Sequence, residues 1–165
     1  MAANSKKSLA LDANLLLDLA EEKDFAHEFR EEFTRRGYCF VVPPTVLAEL
    51  EVLASAGRVP QRDFANLGLE KLSAWKCEPF ALSDTKLALA HRFAERLLER
   101  RLIPETERND AKILAQTSLV EVPLLVTSDK HLLDIDEDAL LLAFNEADLS
   151  PVHPVHPRRL LQALR

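Results

Sequence analysis

Glycine is scarce in this chain, three residues among 165. That is few for a loop-rich β protein and favours helices joined to short buried strands. Positive charge is also in deficit: 21 Lys and Arg stand against 27 Asp and Glu, a formal charge of −6. This counts against a protein that coats nucleic acid through bulk charge, and any such contact must come from a local basic patch. Cysteine is limited to Cys39 and Cys77, both in strand-like segments. Without a signal sequence, two cysteines read as buried apolar fillers in a reducing compartment. No apolar run approaches the roughly 20 residues needed to span a bilayer. Asp12 and Asp18 interrupt the stretch after Lys6 and Lys7 that would otherwise look like a secretory leader. A cytoplasmic protein with no membrane association is expected. Apolar residues, by contrast, make up 47% of the chain, enough for one buried core and little reason to posit two.

After a polar start, MAANSKK, expected to be disordered over residues 1–7, residues Ser8 to Asp12 read as a strand and the next turn opens a helix to about Ala20. Phe25, Phe29 and Phe33 recur at i, i+4 and i+8, the stripe of a second helix that Asp24 caps and Gly37 ends. YCFVV is the second strand; Pro43 and Pro44 cannot continue it but suit the first turn of a helix that Gly57 closes, with Thr45 as its cap. A fourth helix, Gln61 to Trp75, carries Phe64, Leu67, Leu69 and Leu72, with Gly68 counting against it, and leads to a strand over Cys77 to Leu82. Ser83 caps the longest helix, Asp84 to about Arg101, whose stripe runs Leu87, Ala90, Ala94 and Leu97.

Asn109 and Asp110 open a helix with Ile113, Leu114, Thr117 and Val120 at helical spacing, and Pro123 to Thr127 is a continuous apolar strand that stops at Ser128 and Asp129. The proline-spaced SPVHPVHP reads as extended chain before a last helix with Leu160, Leu161 and Leu164. Strands alternating with helices predict an α/β fold: a single three-layer domain over residues 1–165, its central sheet mostly parallel with helices on both faces. Residues 58–82 make it bulkier than a minimal domain of this kind.

Four acids stand at strand ends or on helices that follow or precede a strand: Asp12, Glu49, Asp110 and Asp129. In a parallel sheet these positions share one rim, where open α/β folds place their sites. Singly, each has a simpler reading, Asp12 as a helix cap, Asp110 as a first-turn acid, Glu49 as a solvated face and Asp129 as a turn former. Together they are a ring of hard oxygen ligands with no histidine or cysteine among them, which suits Mg²⁺ or Mn²⁺ and phosphodiester hydrolysis.

The pieces LALDANLLLDL, VVPPTVLAELEVL, RNDAKILAQ and LLVTSDKHLLDI, with the closing HPRRLLQAL, resemble in order the PIN domain (PilT N-terminus-like) ribonucleases, which include VapC-type toxins of toxin–antitoxin pairs. The resemblance implies that Asp12, Glu49, Asp110 and Asp129 coordinate metal, with Asn14 and Thr127 as supporting polar groups. It further implies a Mg²⁺- or Mn²⁺-dependent endoribonuclease acting on single-stranded RNA, often a homodimer and often held by an antitoxin protein. Many relatives carry a further acid where this chain has His131, and whether Asp134 or Asp136 substitutes is left open. A PIN-fold RNA-binding or assembly module without turnover is the alternative. A receiver domain and a haloacid dehalogenase-type phosphatase are disfavoured, since Asp12 has no adjacent acid and position 14 is Asn.

Weaker signals remain. Arg92, Arg96 and Arg100, with Arg101 beside them, line one helix side and offer a track for an RNA backbone, although pairing with Glu95 and Glu99 is the simpler expectation. Lys130 follows a proposed ligand and is a candidate phosphate contact. His153 and His156 lack the spacing of a helical ligand pair. Trp75 and Phe80 offer base-stacking surfaces but suit a core better.

Overall fold

The computed structural model describes residues 7–165. Five parallel strands, β1 (Ser8–Leu11), β2 (Cys39–Val42), β3 (Cys77–Pro79), β4 (Leu124–Val126) and β5 (His153–Val155), lie in the order β3-β2-β1-β4-β5. Among the described residues the helices are α1 (Ala13–Ala20), α2 (Asp24–Arg35), α3 (Pro44–Ala56), α4 (Gln61–Lys71), α5 (Asp84–Glu99), α6 (Arg108–Leu119), α7 (Lys130–Leu133), α8 (Glu137–Glu146) and α9 (Pro157–Ala163), with a 3₁₀ turn at Glu105–Glu107. The expected three-layer α/β architecture is therefore present. The expectation of disorder over residues 1–7 falls outside the described residues except at Lys7, whose carbonyl accepts from the Cys39 N–H at 2.8 Å.

The strands are short, and the central ones are largely enclosed by the helices on either side. Leu9, Ala10 and Leu11 are almost fully enclosed, as are Phe40, Val42, Leu125 and Val126. Each large side chain contributes about 1.5–3 kcal/mol of burial. Helices α1 to α4 pack among themselves and α2 meets α9. On the other layer α5 packs on α6, and Phe93 of α5 meets Phe144 of α8 with ring centroids 4.8 Å apart. The chain moves one way across the sheet from β1 to β3 and the other way from β4 to β5, so the topology reverses between β1 and β4. That crevice is where ligands bind in open α/β sheets.

Several details depart from the sequence expectations. Helix α4 ends at Lys71 rather than Trp75, and β3 ends at Pro79 rather than Leu82. On α4 the buried positions are Ala65 and Gly68, while Leu67 is exposed. The small pair lets α4 lie against α1, and this rotation turns Leu67 outward; Leu87, at the start of the α5 stripe, is likewise exposed. Asp24 is the first residue of α2 rather than its cap, and α3 starts without a side-chain cap, Thr45 being engaged elsewhere. The proline-spaced segment forms β5, and α7 and α8 were not foreseen at all. Residues 58–82 hold α4 and the edge strand β3. Trp75 is buried and Phe80 half-buried.

Two glycines answer opposite tests. A Cβ at Gly57 would lie 2.3 Å from the Leu53 carbonyl oxygen, whereas one at Gly68 would meet nothing nearer than the Leu16 carbonyl oxygen at 3.8 Å. Gly68→Ala is expected to stabilise α4 by about 0.5–1 kcal/mol, raising Tm by roughly 2 °C. Gly57→Ala should lower Tm. Thermal melts of both variants against the parent check this, and a fall for Gly68→Ala would refute the packing described for α4.

Candidate metal centre

Strand β1 runs into Asp12, whose N–H still donates to the Val126 carbonyl at 3.0 Å before the chain turns into α1. Asp12 caps that helix, its Oδ1 accepting from the Ala13 N–H at 2.8 Å. Its Oδ2 accepts from the Thr127 hydroxyl at 2.7 Å, across the crevice between β1 and β4. The same hydroxyl oxygen accepts from the Asp129 N–H at 3.0 Å. Thr127, fully buried and 115 residues from Asp12 in sequence, thus fastens two acids that follow strands adjacent in space. Asp129 caps α7 by accepting from the His131 N–H at 2.8 Å. The simple readings of Asp12 and Asp129 as cap and turn former therefore hold together with the rim placement.

Asp110 enters from the first turn of α6. One ligand oxygen from each of Asp12, Asp110 and Asp129 lies within 4.8 Å of the others. Asp12 is 3% exposed and Asp110 6%, so little water reaches them. Among the described residues no lysine, arginine or histidine side chain forms an ion pair with any of the three, and the buried Asp110 Oδ2 has no hydrogen-bond partner. Oxygen donors only, like charge held together and one buried oxygen left unpartnered fit a hard divalent cation.

Electrostatics carry the same sign throughout. Burial raises the Asp12 pKa above the ordinary carboxylate value and the Asp129 charge adds to it, while the bonds from Thr127 and Ala13 pull it down. Burial, then the charges of Asp129 and Asp12, push Asp110 up to about 9; a hydrogen bond with Asp129 and the charge of Glu107 act in the same direction. Glu49 is half-buried on α3 and is pushed up to about 7, first by burial and next by Asp12, with a hydrogen bond from Asn109 opposing. It feels Asp129 and Glu107 as well. Glu49 thus stands beside the trio without joining its close group of ligand atoms.

The remaining sequence candidates are dispersed. Asn14 is half-buried in the first turn of α1 and, among the described residues, its side chain makes no hydrogen bond. Asp134 ends α7, and Asp136 caps α8 by accepting from the Ala139 N–H at 2.8 Å, so neither enters the trio. His131 Nε2 lies 3.5 Å from the Glu107 carboxylate. Lys130 is exposed. Arg100 pairs with Glu146, while Arg92 and Arg96 line a separate groove with Phe93 and Glu146. The expected pairing with Glu95 and Glu99 does not form: Glu95 is taken by Arg108 and lies 3.8 Å from His91. His153 faces Glu137 at 3.5 Å, and His156 caps α9, its Nδ1 accepting from the Arg158 N–H at 3.1 Å. Sequence reasoning missed Glu107; its place one helical turn before Asp110 was the available signal. It also missed Gln116, buried on α6, which holds Thr45 by two hydrogen bonds.

The raised carboxyls make a pH prediction for the metal-free protein. A folded pKa above the unfolded value of about 4 means that the native state binds the extra proton, so no destabilisation arises below pH 4. Stability should then fall as pH rises through the folded values near 7 for Glu49 and 9 for Asp110. Tm measured in EDTA should drop from pH 5 to pH 9, and Asp110→Asn should flatten that drop. An identical decline in parent and variant would show that Asp110 carries no such shift.

The sequence matches the PIN domain family over residues 9–138. No curated protein is similar enough in sequence to match. Among solved structures, VapBC2 from Rickettsia felis, bound to a DNA fragment from its promoter, is similar at TM-score 0.61 and 16% identity, over 90% of this chain and 98% of that one. VapBC-1 from nontypeable Haemophilus influenzae follows at TM-score 0.58 and 12% identity, covering 92% and 98%. FitAcB from Neisseria gonorrhoeae gives TM-score 0.53 and 15% identity, covering 90% and 97%. At such identities these structures speak to the fold, and the fold agrees with the sequence match across most of the chain: this protein belongs to the PIN domain family.

Proposed function

We propose that this chain is a divalent-metal-dependent endoribonuclease that cuts single-stranded RNA and serves as the toxin of a toxin–antitoxin pair. The observation that carries the nuclease reading is the trio Asp12, Asp110 and Asp129, the first two buried, converging within 4.8 Å and, among the described residues, without a cationic side-chain partner. A scaffold or RNA-binding module gains nothing from holding such mutual repulsion, which disfavours the inactive alternative. Support for a protein partner of antitoxin type comes from the VapBC neighbours alone. The reading takes residues 1–165 as one functional unit, active in the cytoplasm and paired as a homodimer.

Mg²⁺ or Mn²⁺, when bound, supplies positive charge against the developing charge of the phosphodiester and makes water a stronger nucleophile at neutral pH. Asp12, Asp110 and Asp129 would hold it, with Glu49 contributing from the edge of the site. Thr127 keeps Asp12 and Asp129 in register, so its role is positioning. Asp110, whose pKa is pushed up to about 9 by burial and by the neighbouring acids in the metal-free protein, would give up its proton when such a cation binds. Asn14, half-buried in the first turn of α1, is assigned the orienting of a ligand.

Purified protein incubated with mixed single-stranded RNA should cut it in Mn²⁺ or Mg²⁺, stop in EDTA, and leave 5′-phosphate ends. Cyclic 2′,3′-phosphate products or full activity in EDTA would overturn the reading. Asp129→Asn keeps an oxygen for the α7 cap but removes the charge. It should abolish cleavage, leave the metal-free Tm equal or higher, and shrink the Tm rise that Mn²⁺ gives the parent. Thr127→Val should weaken Mn²⁺ affinity or activity by roughly 10- to 100-fold, as loss of a ligand's supporting hydrogen bond does.

A further inference from the structure

Beside the acid trio, α3 and α6 enclose an open groove of about 470 Å³ lined by Thr45, Glu49, Val52, Leu53, Asn109 and Lys112. Glu49, already coupled electrostatically to Asp12 and Asp129, forms its boundary with the trio. The floor is apolar and open, with Val52 62% exposed. Its polar groups are donors as well as acids. Lys112 is half-buried, yet among the described residues its ammonium has no carboxylate and no hydrogen-bond acceptor. Elsewhere on this acidic surface cations are commonly matched, as Arg35 and Arg36 are by Glu32.

Thr45 is held in place rather than free. Its N–H donates to Gln116 Oε1 at 3.0 Å and its Oγ1 accepts from Gln116 Nε2 at 2.8 Å. The hydroxyl proton is then left to donate into the groove. Asn109 and Lys112, three residues apart on α6, share a face, and Asn109 bonds the Glu49 carboxylate. The lining therefore alternates a cation, hydrogen-bonding groups and an apolar floor, the pattern that a nucleotide presents in mirror image as phosphate, sugar and base face. A volume of this size suits one such unit.

We propose that this groove seats the nucleotide adjoining the scissile phosphodiester, with its base against Val52 and Leu53 and its outer phosphate held by Lys112. The proposal rests on the ribonuclease reading and adds to it a substrate-positioning residue outside the metal centre. An RNA backbone entering here meets a cation one helical turn from Asn109, which offsets part of the repulsion that the acids exert on it. Lys112 acts on binding and register rather than on the reacting atoms.

The test measures binding of a labelled single-stranded RNA octamer by fluorescence anisotropy in Mg²⁺, in an Asp129→Asn background so that the RNA stays intact. Removing one phosphate contact lowers the slope of log K against log salt by about 0.7 for a single strand. Lys112→Gln should show that change and bind about fivefold more weakly at 0.1 M salt, the same slope carried down from 1 M. Lys112→Arg should restore both, and Val52→Glu should weaken binding by adding like charge to the floor. With Asp129 intact, Lys112→Gln should raise KM more than it lowers kcat. If the parent cuts RNA while Lys112→Gln binds with unchanged affinity and salt slope, the groove assignment fails and the nuclease stands. If the parent neither binds nor cuts, both fail. If Lys112→Gln loses binding of poly-glutamate but not of RNA, the groove belongs to an acidic protein segment and the proposal is overturned.

Discussion

Mutual repulsion among buried carboxylates is the constraint on which this structure turns. Three acids with oxygens inside a 4.8 Å circle, two of them under 10% exposed, are each unfavourable as charges without a cation. They stay together because their backbones have nowhere else to go. Asp12 follows a strand sealed by Leu9, Ala10 and Leu11, Asp129 follows one sealed by Leu125 and Val126, and α6, with Ile113 and Leu114 fully buried, brings Asp110 onto the same rim. The apolar core supplies the free energy that the site consumes. Helix capping at Asp12 and Asp129 recovers a part, since each carboxylate accepts an N–H that a helix start leaves unsatisfied.

The bond between Thr127 and Asp12 links this constraint to the topology. It crosses the crevice where the chain reverses its direction across the sheet, so the two halves of the fold are joined at the point where a ligand would enter. A single hydroxyl serving Asp12 as donor and the Asp129 N–H as acceptor makes the spacing of the two acids a property of one side chain. Helix α6 is tied to the opposite layer by the paired bonds of Gln116 to Thr45. Asp110, Asn109 and Lys112 thus sit on a helix that is fastened to α3 by side chain as well as by packing.

Much of this was legible because the relevant signals are local. An acid at or just past the end of a run such as LAL or LLV is an acid on a sheet rim, which places Asp12 directly after β1 and Asp129 three residues past Val126. Asp110 followed from its position in a helix first turn. Gln116 is not legible, since nothing in a helix pattern says which polar residue faces another element 71 positions away. Strand β5 hid behind its prolines, which at an edge are compatible with pairing but look like its absence. Leu67 misled because a helix that packs through Ala65 and Gly68 buries its smallest residues, against the usual weight given to large ones. Helix α8 was missed between a charged turn and an apolar run short enough to read either way.

Each edge strand of the sheet carries a proline, Pro79 in β3 and Pro154 in β5. In a parallel ladder alternate residues bond the same neighbour. His153 donates inward to Pro123 and Val155 accepts from Thr127, so Pro154 occupies the outward position of β5; Phe80 donates inward to Val42, so Pro79 occupies the outward position of β3. At both edges the residue that would offer its N–H to a sixth strand has none to offer. On β3 the other outward N–H, that of Cys77, is already taken by the Leu72 carbonyl at 2.8 Å. An incoming strand would meet, at each of these prolines, a carbonyl acceptor with no N–H beside it, so the ladder that a further strand needs is interrupted at both edges.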